Sequence, residues 1–486
     1  PAESMRDIPS CLTMTRRGEC TPAMGGTRTR RRTRRPLGLR RRSHAIPFLA
    51  MALARDVVRR AAAQPERPAV VGPCGSLSFA DLANQARKRA DQVRRCHAAS
   101  PADPIVTTDA EPVGLLVDLL AADLLGVSCI VTDATWPHDM RHRTITAAIE
   151  ASRKATEQHD VSGCLVVFTS GSTGDPRPLV RTQESWTYSF PTFSALSGIG
   201  EHDTVLIPGP MSATLFLYGA LHGLATGAAI HPLARWSPTL AADASRTCTV
   251  AHLVPAMLDD LTARIAPDTN RLRLVVCAGA HLDGRTEAKA RALRIHVVDY
   301  YGAAELSFVG IRRPDAPPGT LRPFPGVDVV VRDGLIRVRS PFLALGLDRD
   351  ADGFATVGDR GTLTDDGTLV VEGRSSNTIN CGGHTIAVEA VEQVLRQAPG
   401  VADAAVFGTP HARLGEVVTA VVEPEHKTAV RRSGLRRFVA SRLQPSHRPR
   451  LWYAVDRLPR VGAGKIARAG IAAGFSDGTL GARPLP

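Results

Sequence analysis

The segment Phe168-Thr-Ser-Gly-Ser-Thr-Gly-Asp-Pro-Arg-Pro-Leu-Val180 gathers Thr169, Ser170, Ser172 and Thr173 around Gly171 and Gly174, directly after an apolar run. Glycines let the backbone turn tightly and bring its N–H groups close to an anion, and hydroxyls add donors for phosphate oxygens. The GxxxxGK[ST] pattern of P-loop NTPases is absent, so that class is excluded. Taken alone, such a loop is a solvated turn. A second chemistry-bearing segment lies far downstream, Leu458-Pro-Arg-Val-Gly-Ala-Gly-Lys465-Ile-Ala-Arg468. By itself a Gly-Lys pair near a C-terminus is a solvated loop.

Other motifs stand between these two in a fixed order. They are Ala278-Gly279-Ala280, Tyr300-Tyr301-Gly302-Ala303-Ala304-Glu305, Val357-Gly358-Asp359, Gly373-Arg374 and Asn380-Cys381-Gly382-Gly383. The whole series resembles the adenylate-forming superfamily of acyl- and aryl-CoA ligases, peptide-synthetase adenylation domains and luciferases, and it spans about residues 65–470. The resemblance implies that residues 169–174 and Arg177, in the place of the usual Lys, bind ATP phosphates, with Thr173 also catalytic. Gly279 and Ala280 pack on adenine, Tyr301 stacks on it beside Gly302, and Glu305 helps hold Mg²⁺. Asp359 accepts the ribose hydroxyls, and Arg374 reaches ribose or phosphate. Gly382 and Gly383 swing to the thiol donor, and Lys465 reaches the forming adenylate.

Some positions depart from the pattern. Ala304 replaces a Thr or Ser hydroxyl, a loss worth ~1 kcal/mol for one hydrogen bond. Ser376 stands at the hinge, and Ala390 replaces the first Glu of P-x-E-[IV]-E. Glu392 fits the second Glu, while Glu389 and Glu392 also read as plain helix-surface carboxylates. These departures leave open a degenerate nucleotide-binding homologue, against which Lys465, Glu305 and Asp359 argue.

By resemblance the reaction is ATP-dependent activation of a carboxylic acid to acyl-AMP, followed by transfer to coenzyme A. A stand-alone ligase loading a separate carrier protein is the alternative. The acyl pocket should draw on Gly209–Leu217 and Gly302–Ala303. Met211, Ala213, Leu215, Phe216 and Leu217 make it apolar, without the His frequent there, so Met211, Phe216 and Ala303 point to an apolar monocarboxylic acid, fatty or aryl.

The elements that must position these residues alternate. GCLVVFTS (163–170), TVLIPG (204–209), RLRLVVCAGA (271–280) and RIHVVDYYG (294–302) read as buried strands running into glycine turns, with helical segments between. Ser78 and Asp81 read as a helix cap. After about Gly326 come hairpins with DG turns, VDVVVRDGLIRVRS and GTLTDDGTLVVEGRS. Beyond Arg374 follow a helix (VEAVEQVLRQ), a strand pair and another helix. The expected fold is α/β: a large N-terminal domain of mixed sheets flanked by helices plus a distorted β-barrel-like part, with a small mobile C-terminal α+β domain. The expected domains are residues 51–372 and 373–486, after an Arg-rich extension over 1–50.

Of the formal charge of +13, +9 falls in residues 1–46, where twelve Arg meet three acids. The basic balance is therefore a property of the tail, and nucleic acid is not an expected partner of the body. Met51 looks like a natural start. Nine cysteines are scattered and never form CxxC, which argues against zinc or a disulfide framework. Val113–Val131, the most apolar stretch, carries Asp118 and Asp123 and reads as a buried helix entering a strand, so no membrane span is expected. A cytoplasmic protein follows from these readings.

Overall fold

The computed structural model describes residues 52–486 apart from 73–74, 97–102, 170–175, 281, 283, 314–315, 318–319, 375–377, 426–429, 462–464 and 467. The extension over 1–50, most of the glycine–hydroxyl loop and the hinge position Ser376 therefore lie outside the described residues.

The site is positioned by a nine-stranded sheet with a parallel centre. Its central strands run, in spatial order, His296–Ala303, Leu274–Cys277, Val250–Leu253, Thr204–Ile207, Ala229–Pro232 and Pro68–Gly72, all parallel to their neighbours. Antiparallel strands close both edges. Val250–Leu253 and Leu274–Cys277 are buried at every residue, which is why they read as unbroken apolar runs rather than alternating ones. Successive side chains enter opposite cores. Val250, Val276 and Val298 join the core under helix Thr214–Thr226, whereas Ala251, Val275 and Val297 join the one under helices Pro255–Thr262 and Gly284–Ala292.

A second, four-stranded sheet pairs Ile105–Thr108, Cys129–Thr132 and Leu165–Thr169 in parallel, with Arg177–Arg181 antiparallel at its edge. A third is wholly antiparallel, Asp328–Arg332, Leu335–Arg339, Asp359–Leu363 and Leu369–Arg374. Asp333 and Gly334 take positive φ (55° and 72°) at its first turn, as a DG hairpin turn demands.

The C-terminal part has its own core, built by Ile386, Val391, Leu395, Val418, Val422, Leu435 and Trp452. Strands Val401–His411 and Gly415–Pro424 pair antiparallel over their length, and helices Val388–Leu395 and Arg432–Ala440 flank them. Glu392 corrects the surface reading: it is 0% exposed, accepts the Val406 N–H at 3.1 Å and bonds Arg396 at 3.0 Å. A helix at Arg468–Ser476, unforeseen from sequence, packs Ile471 and Phe475 against the same sheet.

The expected buried helix is Pro112–Leu125, ended by Gly126 in the left-handed region. Its acids are used locally: Asp123 accepts the Ala54 N–H at 2.6 Å, and Asp118 pairs with Arg89 at 2.7 Å. Among the described residues no helix is long and apolar enough to cross a membrane. The cysteines described are free.

Candidate active site

In the parallel sheet the chain places Thr204–Ile207, adds Ala229–Pro232 on one side, then crosses to add Val250–Leu253 on the other. The crevice outside the carboxyl ends of strands, where such an order reverses, is where open α/β sheets take ligands. The segments at those ends are Pro208–Ala213, Val254–Pro255, Ala278–Ala280 and Gly302–Glu305. Three of the four were picked out from sequence, and the fold brings them to one edge.

Gly302 sits at a β-bulge between Tyr301 and the following pair. A Cβ there would run into the Ser307 carbonyl, so only glycine lets the strand turn back at Glu305. Tyr301 projects its hydroxyl to Asp359, donating to Oδ2 at 2.6 Å. Asp359 is 6% exposed and faces Arg374 across the strand register. Two residues 58 positions apart, assigned by resemblance to adenine and ribose, are therefore in direct contact.

Thr169 and Arg177 face one another as the terminal pair of a β-hairpin. Residues 170–175, which include Ser170, Gly171, Ser172, Thr173 and Gly174, lie outside the described residues. Lys465 pairs with Val461 in a two-stranded hairpin.

Met211 and Phe216 are buried in the same apolar cluster, against which Ala303 and Ala213 pack. The Phe216 ring packs against Gly209, where a Cβ would collide with it. Beneath, helix Thr214–Thr226 meets strand Val250–Leu253 through two histidines. The His252 ring occupies the space where Gly219 lacks a side chain, its atoms 2.7–2.8 Å from the position of a Cβ. His222 Nε2 lies 2.9 Å from the Ser194 hydroxyl. Burial among Phe190, Phe193 and Tyr218 pushes His222 down to about 4, and burial pushes His252 down to about 3, so both are neutral.

The C-terminal part reaches the same edge through the Gly382–Gly383 turn, both residues at positive φ. Gly383 Cα is 3.5 Å from where a Gly279 Cβ would lie, and both glycines abut Val254. Arg413 fixes this approach with an ion pair to Asp260 at 2.6 Å. Trp136 Nε1 donates to Gln444 Oε1 at 3.4 Å.

Residues 146–341 match the family model of the AMP-binding enzyme, and residues 390–465 match the AMP-binding enzyme C-terminal domain. The chain is 30% identical over 345 residues to a Mycobacterium tuberculosis 3-[(3aS,4S,7aS)-7a-methyl-1,5-dioxo-octahydro-1H-inden-4-yl]propanoyl:CoA ligase, covering 66% of this chain and 68% of that one. The chain belongs to the AMP-binding, adenylate-forming enzyme family. It is an AMP-forming ligase by that membership. A second relative, the uncharacterized acyl–CoA ligase YhfT of Bacillus subtilis, is 33% identical over 323 residues, 62% of this chain and 66% of the relative's length. Among solved structures, the amide bond synthetase McbA from Marinactinospora thermotolerans superposes with a TM-score of 0.76 at 26% identity, covering 87% of this chain and 100% of that one.

In this AMP-forming ligase, sequence reading missed two polar groups that organise the site. Asp109, buried after strand Ile105–Thr108, accepts the Ser212 hydroxyl and the Ala134 N–H at 2.8 Å, fixing the Pro208–Ala213 segment. Burial pushes its carboxyl up, and the Ser212 bond offsets part of that. Arg181 is 2% exposed at the end of the candidate phosphate-loop hairpin. Its signal was a lone cation at the end of an apolar run, which also reads as a strand leaving the core.

Proposed function

We propose that this ligase uses ATP to convert an apolar monocarboxylic acid into an acyl-adenylate and then transfers the acyl group to coenzyme A. The observation that carries the reading is the Tyr301–Asp359 contact beside the Gly279 turn, against which Gly383 of the C-terminal part is seated. A nucleoside fits the first pair, and a thiol approaching past Gly383 fits the second.

In this mechanism the acid's carboxylate oxygen attacks the α-phosphorus of ATP and the bond to pyrophosphate breaks. No side chain acts as nucleophile. Thr169, Ser170, Gly171, Ser172, Thr173, Gly174 and Arg177 hold the phosphates, and Lys465 meets the charge that develops on them. Tyr301 and Asp359 hold adenine and ribose, with Arg374 beside them. The thiol sulfur then attacks the acyl carbonyl and AMP leaves.

Among the described residues no cluster of three carboxylate, imidazole or thiolate side chains could cage a cation. Glu305 suits Mg²⁺, which is held by one or two carboxylates together with substrate phosphates and water. When bound, Mg²⁺ neutralises charge on the phosphates.

The apolar cluster of Met211, Phe216 and Ala303 supports a hydrophobic acyl group, as does the bulky propanoate named for the mycobacterial relative. A panel of aryl, fatty and dicarboxylic acids, followed by pyrophosphate release with CoA present, tests the reading. Aryl or fatty acids should be turned over with acyl-CoA as product. Preference for dicarboxylates would refute the acid class, and acyl-AMP with no thioester would refute the acceptor.

A further inference from the structure

We propose that Arg181 is a positioning residue: its buried guanidinium ties the phosphate-loop hairpin to the turn that carries Glu305, and so sets that carboxylate for the nucleotide's cation. The inference rests on the adenylation reading of the site and adds a residue that no motif of the sequence supplies.

The geometry is a closed ring of bonds. Arg181 Nη1 donates to the Ala304 carbonyl at 2.8 Å, immediately before Glu305. Nη2 donates to the Phe342 carbonyl and, at 3.1 Å, to the Ser185 carbonyl, while Nε reaches the Ser185 hydroxyl at 3.3 Å. From the far side, Ala344 N–H donates to the Glu305 carbonyl at 2.9 Å, and Leu345 N–H returns to Val180 on the hairpin strand at 2.9 Å. Arg181, Glu305 and segment 342–345 therefore move as one piece with the strand that leads out of the phosphate loop.

Only arginine suits this position. Its planar fork offers five donors in fixed directions, whereas lysine offers a point charge that cannot serve three separated carbonyls. The guanidinium also lies over the Trp186 ring at 5.2 Å. Burying a cation is costly unless an opposite charge is near. Burial pushes Arg181 down to about 9, and Glu305 is the carboxylate that opposes the shift. A purely structural arginine would serve the carbonyls equally well without acting through Glu305, and that difference is measurable.

The test uses Mn²⁺ as the probe, its binding to the full-length enzyme followed by electron paramagnetic resonance with ATP present and no acid, so that no turnover occurs. Arg181→Gln should weaken Mn²⁺ binding about tenfold, the scale of losing a charged hydrogen bond. The Mg²⁺ needed for half-maximal pyrophosphate exchange should rise by a similar factor. Glu305→Gln should weaken binding at least as much, and the double variant no more than Glu305→Gln alone. Arg181→Lys keeps a buried cation and carries the test if the Gln variant does not fold. Its Mn²⁺ shift should lie between wild type and Gln. Multiplicative losses in the double variant, or no Mn²⁺ shift in the Lys variant, would overturn the proposal. If Glu305→Gln binds Mn²⁺ like wild type, the assignment of Glu305 itself fails, and the role of Arg181 with it.

Discussion

At the scale of single residues, the two chemical demands of the proposed reaction fall on different side chains. Charge builds on phosphate oxygens only while pyrophosphate departs, so the ammonium of Lys465 should be needed in that half and idle in the next. Lys465→Ala should therefore lower pyrophosphate exchange by orders of magnitude, yet leave conversion of prepared acyl-AMP and CoA to acyl-CoA near the wild-type rate. Equal damage to both halves in a protein with an unchanged circular dichroism spectrum would sink this division of labour. Legibility at this scale followed spacing. Tyr301 and Asp359 were singled out because each sits in a short motif, and the structure puts the two in contact. Arg181 and Asp109 were not, because their partners are Ala304, Phe342, Ala134 and Ser212, residues set beside them by sheet pairing rather than by sequence. Glu392 was misread for the same reason: the carboxylate on an amphipathic helix is drawn inward by the Val406 N–H and by Arg396.

At the scale of elements, most strands were legible since four apolar residues bounded by glycine leave little else to form. Ser78 and Asp81 cap helix Phe79–Cys96 reciprocally, with Asp81 N–H donating to the Ser78 hydroxyl at 3.1 Å and Ser78 N–H to the Asp81 carboxylate at 3.2 Å. The terminal helix Arg468–Ser476 escaped notice because RAGIAAGFS is rich in small residues and has no strong apolar stripe. The Gly382–Gly383 turn is the element on which thioester formation is expected to depend. Gly383 has φ +87°, and a Cβ there would lie 2.8 Å from Val254 Cγ1. Both strain and collision oppose any side chain while the turn is seated. Gly383→Val should leave pyrophosphate exchange within about twofold of wild type, because the turn has no role in that half, and should cut acyl-AMP-to-thioester conversion by ~10²-fold or more, the scale of a displaced reacting group. Equal rates for thioester formation in variant and wild type would remove the turn from the thiol path.

At the scale of the whole molecule, burial has left neutral histidines in both parts of the chain, and they make stability depend on acid. Burial pushes His222 to about 4, His252 to about 3 and, in the C-terminal part, His447 to about 3, against 6.5 in an open chain. Each folded-state value is depressed, so between pH 6.5 and the folded value the unfolded chain binds a proton that the folded one refuses. Stability is then unaffected by these groups above pH 6.5 and falls as the pH drops below it, by at most about 1.4 kcal/mol per pH unit for each histidine. Asp109 and Asp123 act in the opposite sense. Burial raises their carboxyls, so near the open-chain carboxylate value the folded state takes up protons first and recovers part of the loss. The histidine contribution is lost as the pH falls through the window from 6.5 towards the depressed folded values. His252 is the sharpest probe, since its ring fills the space over Gly219 and carries little besides its unfavourable protonation. His252→Phe keeps a planar ring there. Urea midpoints measured from pH 5 to pH 8 should show a shallower acid slope for the variant, by about 1.4 kcal/mol per pH unit below 6.5, and no change of slope above 7. An acid slope identical to that of wild type would mean that His252 is protonated inside the folded protein, and the aromatic packing against Phe193 would then have to accommodate a charge.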